Sequence, residues 1–556
     1  MDSVTWKIGG EAGFGIMSSG TMFARTFSRA GYHVLATNEY PSRIRGGHNL
    51  ITVRVATSKF EALNRDLHLL VALNRETIEL HKQELNKDTL VIFDPKDGEY
   101  SGGIPIPLSD IVARLGGDPV MRNTVAIGAS VALLGGPFEN LEKVIADQFK
   151  KKSADVVKHN VEIARAGYDF IKDEKRLFLA PPEKKEEQLV INASEAIGVG
   201  AVRAGLKFAA IYPMTPINAL ITFLADHAKS LNIVYKQPED EIAGINMAIG
   251  ASLAGARSMV ATSGGGFALM VEGLSWAGMI EAPLVIDLGM RVGPSTGMPT
   301  WTEQGELQFA IHAGHGEFPR IILAPSDAAD AYALTVEAFN LADRYQVPVF
   351  LLTDKYINES QWCVPKSVMS GEVFIDRGKL SAEGKPRYDL SVDDGISPRS
   401  FIGQKGSTYI ANSYEHDETG HMTENSGMRI AMAAKRMKKL AAMKKDIRAP
   451  SVYGDTDAEV TFVTWGSTRG PVLEAMKMLQ KKTRLIHFSW LYPFPAEETT
   501  KLLSGATRII DVEQNGTGQL ASLIREHTGI LIKEQLLKND GRTWYPEEIA
   551  EKVGNV

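Results

Sequence analysis

Tyr212-Pro213-Met214-Thr215-Pro216 decides the fold. The apolar run 208–212 reads as a strand ending in this segment, where Thr215 is set between two prolines. Proline has no ladder donor and pushes the residue before it out of the helical region, so the chain must turn here before a helix opens. Working outward, strands at 233–236, 258–262, 283–288, 320–323 and 347–353 alternate with helical stretches. That alternation is the mark of an α/β doubly wound parallel sheet. Three further stretches stand at predicted strand ends: Gln237-Pro-Glu-Asp-Glu241, Gly264-Gly265-Gly266 and Arg291-Val-Gly-Pro-Ser-Thr-Gly-Met-Pro-Thr300. In an open parallel sheet this edge collects ligands, so the four segments are expected to line one active site.

The chain has 556 residues, enough for about three to five domains, and its apolar and charged content is that of an ordinary globular protein. A net charge of −6 with both signs interspersed supplies no basic field, so nucleic acid is not an expected partner. No run of about 18 apolar residues would span a bilayer, and the N-terminus lacks a basic segment followed by an apolar one; a cytoplasmic protein is expected. Cys363 is the single cysteine. It cannot form an internal disulfide or supply the several thiolates of an iron–sulfur cluster, so any cluster must sit in another chain. Its setting, Gln361-Trp-Cys363-Val-Pro, reads as a buried structural thiol.

The N-terminal module, residues 1–179, begins with a strand and the turn Gly9-Gly10-Glu-Ala-Gly13-Phe-Gly15 before a helix. Gly10, Gly13 and Gly15 could present backbone N–H groups to a phosphate, or could serve tight strand-to-helix packing. The loop Ser42-Arg43-Ile-Arg45-Gly-Gly47-His48 is either an anion or partner surface or a solvated loop. Arg122 opens a small-residue helix, where a cation opposes the macrodipole; a surface arginine is the plainer reading. A linker at 180–190, marked by Pro181 and Pro182 and mixed charge, leads into the doubly wound domain at 191–365. Residues 366–457 form an irregular connecting region, and 458–556 a second α/β sheet. Within the connecting region, His416 and His421 resemble a metal cluster in composition, but the spacing argues for a hydrogen-bonded loop, so no metal site is expected. The helix at 427–445 reads as a solvated charged face.

Taken together, Tyr212-Pro-Met-Thr-Pro216, Glu241 at the start of a small-residue helix, Arg291 to Thr300 and Thr464-Trp-Gly-Ser-Thr468 resemble the alpha subunit of 2-oxoacid:ferredoxin oxidoreductases. The N-terminal module, through its glycine turn and Ser42-Arg-Ile-Arg-Gly-Gly47, is similar to the family's gamma subunit fused ahead of alpha, an order typical of the 2-oxoglutarate type. The resemblance implies a gamma-like α/β module, a pyrimidine-type domain binding thiamine diphosphate, and a transketolase C-terminal-like domain. It implies Glu241 as the carboxylate that activates the cofactor, with Glu239 and Asp240 as neighbouring competitors, and Pro213 as a cofactor contact. Thr215, Arg291 and Thr300 match positions that hold the 2-oxoacid, while a helix-capping Thr and a structural arginine remain open readings of the first two. Arg122 is the candidate for a distal carboxylate, with Arg43 and Arg45 as alternatives. Coenzyme A or its phosphates are expected along Gly10, Gly13, Gly15, Arg43 and Arg45.

Two absences fit the same family. The chain has neither a Gly-Asp-Gly segment followed by Asn-Asn nor cluster cysteines. The resemblance therefore implies a separate beta subunit carrying Mg²⁺, the diphosphate site and a [4Fe–4S] cluster, with ferredoxin as electron acceptor and an (alpha-beta)₂ assembly. The expected reaction is oxidative decarboxylation of a 2-oxoacid, 2-oxoglutarate by the fused order, to acyl-CoA and CO₂. The rival readings are a thiamine-diphosphate enzyme for another 2-oxoacid and a non-catalytic scaffold subunit.

Overall fold

The computed structural model describes residues 1–42, 46–174, 177–182, 187–381, 386–406 and 408–554. Arg43 and Arg45 lie outside the described residues. The chain forms two compact units, each containing segments distant in sequence.

The first unit comprises Met1–Asn192, Glu359–Val368 and Tyr545–Glu551. Its eight-stranded sheet runs in the order Ile104–Pro105, Leu90–Phe93, Leu69–Ala72, Ser3–Glu11, His48–Ala56, His33–Glu39, Gln361–Pro365, Gln188–Ile191. The first four strands are parallel and the rest pair antiparallel. Gln361–Pro365, read from sequence as the end of the doubly wound domain, is thus a strand of this first sheet, antiparallel to His33–Glu39 and Gln188–Ile191. Cys363 on that strand contacts Ser28 Oγ and the Val34 amide, and burial pushes its thiol up to about 11, which suits an inert core thiol. Trp6 stacks on Phe23 at 4.1 Å and donates to Ser130 Oγ at 3.0 Å, tying the central strand to its covering helices. Helices Arg122–Leu133 and Ala154–Ile171 meet backbone to backbone, since a Cβ on Gly128 or Gly167 would strike the Ala164 or Val125 carbonyl.

The second unit holds a seven-stranded sheet in the order Trp490–Tyr492, Ile321–Leu323, Pro348–Asp354, Leu284–Met290, Arg257–Thr262, Leu206–Ala210, Val234–Lys236. All pairings are parallel except that of Trp490–Tyr492. Three central strands are buried along their whole length, as expected where helices cover both faces. The six strand spans read from sequence all fall on observed strands. From Leu206–Ala210 the chain visits Val234–Lys236 on one side and then crosses to Arg257–Thr262 on the other. That reversal is the topological switch point, and Tyr212–Pro216 and Gly264–Gly266 follow the two strands that make it. A five-stranded sheet, Ser451–Gly454, Thr483–Phe488, Val460–Trp465, Ile509–Glu513, Glu534–Leu537, shares its core with the larger one through Trp465, Phe488 and Leu520 against Ile286 and Phe350.

The connecting region is ordered by charge. Helix Ser426–Met443 buries Lys435, Arg436 and Lys439, so the expectation of a solvated charged face is wrong. Lys435 and Lys439 both reach the buried Glu281 carboxylate at 2.6 Å, and Arg436 binds Glu415. His416 is buried, its Nδ1 against the Asp417 carbonyl at 2.9 Å and its Nε2 against the Met279 carbonyl at 3.4 Å, while His421 Nδ1 bonds the Thr419 hydroxyl at 2.8 Å.

Candidate active site

Three adjacent carboxylates stand where Val234–Lys236 turns into helix Glu241–Leu253, and the structure separates them. Glu239 is exposed. Asp240 is the helix cap, accepting the Ala243 amide at 2.8 Å. Glu241 is 3% exposed, and its Oε1 is buried with no hydrogen-bond partner. An unsatisfied buried carboxylate oxygen costs about 1–3 kcal/mol or more, so this atom is placed for something other than folding.

Glycine makes the space around it. A Cβ on Gly266 would run into both Glu241 Oε1 and Thr262 Oγ1, and a Cβ on Gly264 would meet Glu306 Oε1. Helix Gly264–Met279 therefore starts flat against two carboxylates. Its N-cap Ser263 makes no side-chain cap, and the Ser263 hydroxyl is buried without a partner.

Arg291 follows strand Leu284–Met290 and donates Nη1 to the Thr215 carbonyl at 2.8 Å. Among the described residues this is its single hydrogen bond, which leaves most of its five donors for an anion. Burial works against the guanidinium charge and the nearby Glu306 supports it. Thr215 does not cap the next helix: Asn218–His227 has Ile217 as its N-cap, and Thr215 Oγ1 meets the Asn218 side-chain amide at 3.4 Å. The Thr215–Pro216 peptide is cis. Pro213 is exposed. Thr300 ends the loop begun at Arg291; its hydroxyl is buried and unpartnered, and no described contact joins it to Arg291 or Glu241.

That loop is held by the third sheet. Gln304 is fully buried, donating to the Trp465 carbonyl and accepting from Thr468 Oγ1, at 3.0 and 2.8 Å. Thr464-Trp-Gly-Ser-Thr468 is thus an anchor for the loop rather than a lining of the site. Glu306, two residues beyond Gln304, has a buried, unpartnered Oε2 and is pushed up to about 8 by burial and by Glu303, against Arg291. The sequence reading missed Glu306. Its signals were weak: a carboxylate 15 residues after Arg291 in a stretch without periodicity.

In the first unit, Gly13 and Arg122 line a cleft of about 390 Å³ with Glu11, Ala12, Phe14, Leu73, Pro119 and Val120. Gly13 has φ 101° and open space where a Cβ would project. Gly15 adopts φ 69° at the start of helix Ile16–Arg29, while Gly10 packs against Phe14, Leu73 and Ile16; neither lines the cleft. Arg122 pairs with both Asp97 and Asp94, which share its charge.

The comparisons with known proteins bear on both units. Residues 199–435 match the family described as pyruvate flavodoxin/ferredoxin oxidoreductase, thiamine diphosphate-binding, and residues 5–170 match pyruvate ferredoxin/flavodoxin oxidoreductase. The 2-oxoacid:ferredoxin oxidoreductase subunit alpha of Saccharolobus solfataricus is 34% identical over 99% of this chain and 97% of its own. A second such alpha subunit, from Aeropyrum pernix, is 32% identical over 100% and 98%. The chain belongs to the 2-oxoacid:ferredoxin oxidoreductase alpha subunits. Its fold matches that of the 2-oxoglutarate:ferredoxin oxidoreductase of Magnetococcus marinus, solved with 2-oxoglutarate, coenzyme A and succinyl-CoA bound: TM-score 0.92, 32% identity, 100% of this chain and 99% of the other. This alpha subunit accordingly carries a pyruvate ferredoxin/flavodoxin oxidoreductase module and a thiamine diphosphate-binding domain in one polypeptide, as part of an oxidoreductase acting on 2-oxoacids. Among the described residues no helix is long and apolar enough to cross a membrane.

Proposed function

We propose that this alpha subunit supplies the cofactor-activating and carboxylate-binding half of an active site that oxidatively decarboxylates 2-oxoglutarate to succinyl-CoA. A separate beta subunit completes the site with the diphosphate and Mg²⁺ contacts and a [4Fe–4S] cluster, and ferredoxin takes the electrons. The observation that carries the reading is the continuous set Glu241, Gly266, Gly264, Glu306, Arg291 and Thr215 at the switch point, with unpartnered carboxylate oxygens at Glu241 and Glu306. The choice of 2-oxoglutarate and CoA is supported by the Magnetococcus marinus structure, which holds both and is similar over the full chain.

The residues present fit thiamine diphosphate. Glu241 Oε1 is a buried acceptor held open by the missing Cβ of Gly266, which suits a ring N–H. When bound, the cofactor supplies the carbon nucleophile for the 2-oxo group. Glu241, in the first turn of helix Glu241–Leu253, holds or returns a proton at Oε1. Arg291 binds the 2-oxoacid carboxylate through its unused N–H groups, and the Thr215 carbonyl fixes the guanidinium's direction. Thr215 and Thr300 offer hydroxyls to the oxygen where charge develops. Pro213 is proposed as a cofactor contact. In the gamma-like module, the cleft beside Gly13 and Arg122 is proposed to take coenzyme A, with Gly10 and Gly15 shaping its turn rather than lining it. Arg122 is retained as the candidate cation for the distal carboxylate, although Asp94 and Asp97 share its charge.

The test is co-expression with the beta subunit and assay of ferredoxin or viologen reduction against a panel of 2-oxoacids. CoA-dependent reduction with 2-oxoglutarate, lost in Glu241→Gln without loss of assembly, supports the reading. No reduction with any 2-oxoacid would sink it. Arg122→Ala should raise KM for 2-oxoglutarate far more than for pyruvate; equal effects would take Arg122 out of the distal-carboxylate role.

A further inference from the structure

Arg291 has two callers for its charge. One is the substrate carboxylate; the other is Glu306, whose Oε1 lies at the start of helix Gly264–Met279, which follows the strand paired with the one that Arg291 follows. The two side chains are close enough to influence each other, yet no ion pair joins them within 4.0 Å. Glu306 Oε1 lies against the Gly264 backbone and Oε2 is buried without a partner. Its own loop holds it there, because Gln304, two residues before, is fixed by five hydrogen bonds to Trp465, Thr468, Gln514 and Asn515. Glu306 thus follows directly on an anchored stretch of the loop.

We infer that Glu306 is a positioning residue that must be a neutral carboxylic acid when Arg291 receives the 2-oxoacid carboxylate, so that substrate binding is linked to proton uptake at Glu306. The physical reason is a charge count. Two carboxylates and one guanidinium in a half-buried site leave one negative charge uncompensated, whereas one carboxylate and one guanidinium balance. A protonated Glu306 has an O–H to donate, which the unpartnered Oε2 is placed to offer; an ionised one has acceptors alone.

The groups around Glu306 divide. Arg291 and the N-terminus of helix Gly264–Met279 favour the anion; burial and Glu303, whose Oε2 accepts the Gly293 amide at 3.1 Å, favour the acid. Glu241 Oε1 lies against Gly266 at the same helix start. Burial and the like charge prevail, and Glu306 titrates near 8. Below that pH the acid is already present and binding needs no proton. Above it, each bound carboxylate must bring one proton from solvent: 2-oxoacid anion + Glu306 carboxylate + H⁺ gives the complex with Glu306 protonated.

This inference rests on Arg291 as the carboxylate site. The assembled complex with its beta subunit is titrated calorimetrically with oxamate, which carries the 2-oxoacid head group and does not lose CO₂. Dissociation constants are measured from pH 6.5 to 9.5, in buffers of different ionisation enthalpy to count protons. The expected result is an affinity flat below about pH 7 that weakens toward tenfold per pH unit above 8, roughly 30-fold between pH 7 and 9.5, with about half a proton taken up near pH 8. Glu306→Gln should bind with a flat profile and no proton uptake, and Glu306→Asp should restore the slope. The same slope and uptake in Glu306→Gln, or none in the wild type, would overturn the role of Glu306 while leaving Arg291 in place. Unchanged affinity in Arg291→Ala, or no binding of oxamate at any pH, would overturn the carboxylate site itself and this inference with it.

Discussion

Asp287 shows what a single buried carboxyl does when no cation answers it. It lies in the middle of strand Leu284–Met290, fully buried, with Oδ1 accepting from Thr353 Oγ1 at 2.9 Å and Oδ2 unpartnered. Burial pushes it up to about 7. A carboxyl whose folded value lies above its unfolded value of 3.8 binds more protons in the folded state between those values. Its contribution to stability is therefore fully present below about pH 4 and lost as pH rises through about 7. At 1.36 kcal/mol per unit the whole effect is about 4 kcal/mol, of which about 3 kcal/mol falls between pH 5 and pH 8. Asp287→Asn keeps the acceptor for Thr353 and removes the ionisation. Denaturant unfolding at pH 5 and pH 8 should show the wild type losing stability over this interval by roughly that amount more than the variant; equal losses would mean that Asp287 stays neutral throughout or that the strand opens to water.

Helix Ser426–Met443 buries Met432 and Met443 together with three cations, of which Lys435 and Lys439 are held by Glu281. Glu281 is buried and its carboxyl is driven well below the usual range by Lys435, Lys439 and Arg387, which outweigh burial; Lys439 is pulled down to about 7 by its own burial. Removing one partner of such a cluster leaves uncompensated buried cations, at a cost of about 3–5 kcal/mol. Glu281→Ala should therefore destabilise the chain by that amount, read as a lowered midpoint in chemical denaturation, with early proteolysis within 426–443; a loss below 1 kcal/mol would show that water replaces the carboxylate.

This helix also marks where sequence reading stops. Lys435 and Lys439 looked solvated because Glu281 is 154 residues from Lys435, and periodicity carries no information over such a separation. The parallel strands were legible because each is a buried apolar run closed by a turn, a local signal. Glu241 is proposed from the family resemblance with Asp240 as a competitor, and only the cap hydrogen bond from Ala243 shows that Asp240 is used by the helix instead. Glu306 was not legible, because its placement depends on Gln304 meeting Trp465. Likewise strand Gln361–Pro365 carries nothing local that says which sheet it joins.

At the scale of the whole molecule, the site is built against a surface that this chain leaves uncovered. Helix Glu241–Leu253 starts with the buried Glu241 and then exposes Ile242 at 47% and Met247 at 42%; the neighbouring helix Gly264–Met279 exposes Leu269 at 51%. The two helices pack closely, with Gly273 seated on Ile245, so the exposed side chains are not the product of a loose element. Large apolar residues beside a site with unpartnered buried oxygens suit contact with the beta subunit that the proposed function requires. A lysine at such an exposed position should alter the stability of the isolated chain by no more than about 0.5 kcal/mol. In an interface it would bury an unpaired charge, which costs far more. The double variant Ile242→Lys, Met247→Lys is therefore expected to melt like the wild type on its own, yet fail to co-elute with the beta subunit in size-exclusion chromatography and show no 2-oxoacid-dependent viologen reduction. Normal co-elution and turnover in that variant would move the partner's contact to another face. A lowered melting temperature would instead show that the two side chains stabilise the helix itself.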